Sequence, residues 1–102
     1  MLGIELFIPL ADNDGRRFGD DHHAAFEAGL AAIFGGCSRL PGAVIGAWEH
    51  EGRTYHDDSV VYLVALPSLL DGGKVRQAVE VAKRHYRQEA IFIRYLGQVE
   101  II

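Results

Sequence analysis

Ser59-Val60-Val61-Tyr62-Leu63-Val64-Ala65-Leu66, closed by Pro67, is short and rich in β-branched residues, and it reads as a strand. Side chains alternate across a strand, and here both sets are apolar, so both faces call for a cover. Working outward, Gly3-Ile4-Glu5-Leu6-Phe7-Ile8 repeats the pattern, with Ile4, Leu6 and Ile8 on one face and Phe7 on the other. Two further runs, from about Ala43 to His50 and from Ala90 to Tyr95, bring the strands to four. Only two stretches carry helical spacing. Asp20 to Phe34 lines up Phe26, Leu30, Ile33 and Phe34 behind the acidic pair Asp20-Asp21, which suits a helix N-terminus and can cap it. Gly35-Gly36 then suits a left-handed stop. Lys74 to Arg87 turns Val75, Ala78, Val79, Ala82 and Tyr86 inward and leaves Arg76, Glu80, Lys83, Arg84 and Arg87 to water.

The order βαββαβ predicts a ferredoxin-like α+β fold over residues 1–102 as one domain. Its four-stranded antiparallel sheet carries both helices on one face, with Val99-Glu100-Ile101-Ile102 available as a short extra C-terminal strand. The other face is then open. If the more uniformly aliphatic sides meet the helices (Ile4, Leu6 and Ile8; Val61, Leu63 and Ala65; Ile91 and Ile93), the open face receives Glu5, Phe7, Val60, Tyr62, Val64, Phe92 and Arg94. Trp48 and His50 share a face with the small Gly46. Phe7, Tyr62 and Phe92, at ~150 Å² per buried aromatic, make a patch as large as the largest on a typical monomer. Two covers answer it. A second copy gives a homodimer through the sheet face, and a small molecule could be held by Glu5, Trp48, His50, Tyr62 and Arg94.

Composition narrows the partners. The net charge of −4 argues against a general nucleic-acid binder, which needs a basic face. The balance is uneven, with four basic and eleven acidic residues up to Gly73 and six basic and three acidic from Lys74 onward. The single Cys37 forms no internal disulfide, no signal-peptide pattern opens the chain, and no apolar run reaches the ~20 residues of a membrane span. The expectation is a cytoplasmic protein with no membrane partner. Gly72-Gly73-Lys74 lacks phosphate-loop spacing, and no cofactor is expected.

Histidines recur beside acids in Asp20-Asp21-His22-His23, Glu49-His50-Glu51 and His56-Asp57-Asp58. A metal needs three or four converging donors, and none of these spacings supplies them, so the metal-binding reading stays an alternative and no ligand set is named. His56-Asp57-Asp58-Ser59 is not a local triad, because neighbours in a strand face opposite ways; Asp57 and Asp58 more simply shape a turn into the third strand. Cys37 is expected to be a half-buried structural residue. The enzymatic alternative is a dimeric α+β barrel acting on an organic anion, with His50 as general base in a closed pocket and Arg94 holding the anion.

Glu5-Leu6-Phe7, Phe34-Gly35-Gly36-Cys37-Ser38, Gly46-Ala47-Trp48 with Gly52, Asp58-Ser59 and Gln88-Glu89-Ala90 together resemble a family of small bacterial proteins of uncharacterised function with a predicted ferredoxin-like fold. The chain departs from that family's pattern at Cys37 and Asp58. The resemblance implies the same fold and places any site near Trp48, Ser59 and Glu89.

Overall fold

The computed structural model describes residues 1–100. The elements are β1 (Leu2–Pro9), α1 (Asp20–Phe34), β2 (Ser38–Arg39), β3 (Val44–His50), β4 (Arg53–Leu66), a 3-10 turn at Leu69–Asp71, α2 (Gly72–Tyr86) and β5 (Phe92–Gln98). The sheet is antiparallel and runs β2, β4, β1, β5, with β3 also paired to β4. This is the ferredoxin-like α+β architecture, and the differences from expectation lie in its strands. Its second strand is split into β2 and β3, which follow one another along the same edge of β4, so the sheet counts five strands. β4 begins at Arg53 rather than Ser59, and Asp57 and Asp58 therefore sit within a strand and not in a turn.

The core lies between the helices and the central strands. Ile4, Leu6 and Ile8 of β1 meet Phe26 and Leu30 of α1 and Val75, Ala78, Ala82 and Tyr86 of α2. Gly35 ends α1 at φ 85°, with its N–H on the Ala31 carbonyl, as its sequence suggests. Asp20 and Asp21 act at the other end by charge alone, because Gly19 takes the N-cap position and no side chain caps it.

The register of β4 corrects the assignment of its faces. Leu6 pairs with Tyr62, Ile4 with Val64 and Ile8 with Val60, so Val60, Tyr62 and Val64 face the helices and all three are buried. Val61, Leu63 and Ala65 lie on the open face with Glu5 and Phe7. Alternation could not decide this, since both sets are apolar. The larger set, which includes Leu66, filled the core, and the Tyr62 hydroxyl found a carboxylate on α1. On β5 the assignment holds: Arg94 pairs with Glu5 and Phe92 with Phe7 on the open face, while Ile93 turns to the helices beside Leu6.

Gly3 faces the open side where Leu96 and Val99 cross it. A Cβ there would meet the Val99 side chain at 3.0 Å and Leu96 at 3.3 Å. The Val99 N–H donates to the Met1 carbonyl at 2.8 Å, so the tail up to Val99 stays on its own chain. Ile101 and Ile102, the rest of the expected extra strand, lie outside the described residues.

Candidate functional site

The candidate residues separate into three places. The first is the middle of the open face. Glu5 has a side chain only 7% exposed, yet it carries a charge partner, because the Arg94 Nε donates to Glu5 Oε1 at 2.7 Å and a second guanidinium nitrogen also reaches that oxygen. The same guanidinium stands 5.7 Å from the Phe7 ring centre, and Phe92 meets Phe7 edge to face at 5.0 Å. Phe92 remains 66% exposed.

The second place is the far end of the β3–β4 hairpin. Strand alternation along β4 puts Tyr55, Asp57 and Ser59 on the open face, and their partners Trp48, Gly46 and Val44 with them. Trp48 stacks on Tyr55 at 5.0 Å and donates its indole N–H to Asp57. His50 lies 6.2 Å from the Trp48 ring, beside the Glu51 carboxylate at 3.6 Å, with its side chain 62% exposed. In a single chain it therefore lacks the closed pocket that a general base needs. Trp48 stands opposite Tyr55, eight positions along β4 from Leu63, which stands opposite Glu5. At ~3.4 Å per residue the two groups are about 27 Å apart.

Tyr62 is the third, and it is not on the open face. Its hydroxyl donates to Glu27 Oε2 at 2.9 Å, and Arg39 pairs with the same carboxylate while standing 5.8 Å from the Tyr62 ring centre. Burial first, and then the neighbouring carboxylate, push the Tyr62 hydroxyl far above the ordinary tyrosine value, so it acts as a fixed donor. Burial alone would raise Glu27, but hydrogen bonds from Arg39 and Tyr62 outweigh it and hold the carboxyl below its ordinary value. Cys37 sits nearby with its Sγ 3.8 Å from the Glu27 carbonyl, and burial raises its thiol, which is the reverse of a reactive thiolate.

A histidine cluster joins the start of α1 to the end of α2, and no spacing in the sequence pointed to it. His22 and His85 stack at 3.8 Å, and each Nε2 reaches the other's backbone carbonyl, at 2.7 and 2.6 Å. The buried His23 shares a hydrogen bond of 2.8 Å with the Tyr86 hydroxyl, and burial, then the charges of Arg39 and His22, pull it below the ordinary imidazole value. These contacts place the histidines as structural ties between helices. Among the described residues no group of three His, Cys, Asp or Glu side chains is arranged to hold a metal ion. Likewise no described helix is long and apolar enough to cross a membrane.

No family model matches the chain, and no curated protein does. Solved structures do. A phage SAM lyase in complex with S-methyl-5'-thioadenosine superposes with a TM-score of 0.71 at 16% identity, over 94% of this chain and 80% of that one. The divalent cation tolerance protein CutA1 from Thermus thermophilus gives 0.68 at 13% identity, over 100% and 88%, and CutA1 from Oryza sativa gives 0.67 at 8%, over 99% and 82%. At these identities the likeness is one of fold, and it carries the ferredoxin-like assignment.

Proposed function

We propose that the protein is a small binding module that associates with further copies of itself through the open sheet face, a homodimer being the simplest case, and that a small-molecule pocket is made up where copies meet. The observation that carries this reading is the separation of the polar and aromatic candidates. Glu5 and Arg94 lie about 27 Å from Trp48 and about 34 Å from His50 along β4, so one chain cannot bring them to one ligand. The apolar exposure of Phe92 on the same face supports a protein cover, since patches of this kind on small proteins find partners. The phage SAM lyase, named as a complex with S-methyl-5'-thioadenosine, shows a small molecule held on this fold, which supports the pocket as a class and not its occupant.

Light scattering after size exclusion tests it. The wild type should run as at least two copies of the 11.2 kDa chain, and Phe92→Glu should return it to one. A wild type that stays a single chain at high concentration would overturn the reading. Tyr62 is unsuited to this test because a charge there would break the core instead of the face.

A further inference from the structure

The hairpin and the far edge of the sheet match one another, and we propose that they pair between copies: β3 of one chain adds antiparallel to the outer edge of β5 of the next. This rests on the self-association proposed above and specifies its geometry. Among the described residues β3 pairs only with β4 and β5 only with β1, so each has a free outer edge, and both are seven residues long. β1 runs antiparallel to β4 and β5, and β3 runs antiparallel to β4, so β3 is directed opposite to β5. A neighbouring copy set alongside without being turned over, and slid along the strands by about eight residues (~27 Å) so that β3 and β5 come level, presents β3 to β5 in the stronger, antiparallel ladder, with all helices on one side. The free side of β4 along Arg53–Asp57 would meet β5 in parallel.

Shape and charge agree with this. A groove of about 340 Å³ runs between β5 and α2, lined by Val75, Val79, Ile93 and Tyr95 with Arg76 and Glu80. Ile45 of β3 pairs with Asp58 and so points to the helix side, where it is 76% exposed with no helix above it. In the proposed ladder it enters the groove of the next copy. Residues 44–58 carry Glu49, Glu51, Asp57 and Asp58 against Arg53, a net of −3. Residues 72–98 carry six basic side chains against Glu80 and Glu89, a net of +4. The hairpin is thus acidic and the α2–β5 region basic, so joining the two brings opposite charge together, whereas joining either to its own copy brings like charge together.

In such a ladder the two open faces form one continuous surface, so Trp48 and His50 of one copy lie on the same face as Arg94 of the next, on the adjoining strand instead of ~27 Å or more along the sheet of one chain.

The test uses Ile45→Asp and Tyr95→Asp, both at positions exposed in the single chain, with folding checked by circular dichroism melting. Each variant alone should scatter as one chain, and an equimolar mixture should regain mass, because one supplies an intact hairpin and the other an intact edge. A mixture no heavier than its parts, or either variant keeping the wild-type mass, would overturn the β3–β5 pairing while leaving self-association through Phe92 standing. A monomeric wild type would overturn both.

Discussion

One strand crosses two environments in this molecule. From Ser59 to Leu66, β4 lies between β1 and β2 with the helices above it, and Val60, Tyr62, Val64 and Leu66 are buried. From Arg53 to Asp57 the same strand pairs only with β3, and every residue is exposed. Backbone pairing is continuous through both halves, so hydrogen bonding does not distinguish them; burial does. A two-stranded ribbon is marginal in water, and this one is supported by its continuity with the sheet, the Trp48–Tyr55 stack and the Asp57 hold on the indole. The fold spends its apolar surface on one half and leaves the other exposed.

Truncation should show the contrast most strongly. Phe26→Ala, beneath the inner half, is expected to cost about 3–5 kcal/mol in urea denaturation, whereas Ile45→Ala on the hairpin should change the stability of the single chain by less than about 0.5 kcal/mol. Equal costs would mean the hairpin is packed within its own chain.

Tyr62 offers the next step down. Tyr62→Phe keeps the ring and removes the donor to Glu27, which should cost about 1–2 kcal/mol by the same denaturation, and Arg39 should then hold the carboxylate alone. No loss would mean that water replaces the hydroxyl without penalty.

That pair also shows what the sequence could and could not tell. Element order, both helices and the placement of Glu5, Phe7, Phe92 and Arg94 on one face were readable, because each rests on a period or on a face with one evident choice. The face of β4 was not, since Val60-Val61-Tyr62-Leu63-Val64 is apolar whichever way it turns. The split of the second strand was hidden by Pro41-Gly42, which reads as plain loop, and the His22–His85 stack joins residues 63 apart, beyond any local spacing. The distance between Trp48 and Glu5 needed the length of β4, and that length was obscured by the polar run Arg53 to Asp58, which burial patterns do not mark as strand.

Acid should separate the halves as well. His23 is buried and its imidazole titrates below the ordinary 6.5, so the unfolded chain takes up its proton first. Stability is whole above the unfolded value and falls as the pH drops through 6.5, by at most about 1.4 kcal/mol per pH unit for one proton. His23→Gln should flatten the thermal stability profile between neutral pH and the acid side, and an unchanged slope would place the titration elsewhere.

The smallest effect belongs to the hairpin turn. Glu51 has φ 52° and Gly52 φ 77°, both left-handed, as a two-residue turn of this twist requires. Glu51→Asn relieves a conformation that glutamate adopts at a cost and should add a few tenths of a kcal/mol, visible as slower amide exchange across β3 with no change in β1. Exchange that stays the same would mean the hairpin opens by a route other than its turn.

Hydrogen exchange of wild-type protein at low and at high concentration tests the central claim most directly, because it reads both halves of β4 and both sheet edges at once. If copies pair through β3 and β5, the amides of Val44–His50 and Phe92–Gln98 gain protection as concentration rises while those of β1 stay as they were. Exchange across β3 and β5 that is fast and independent of concentration would contradict it.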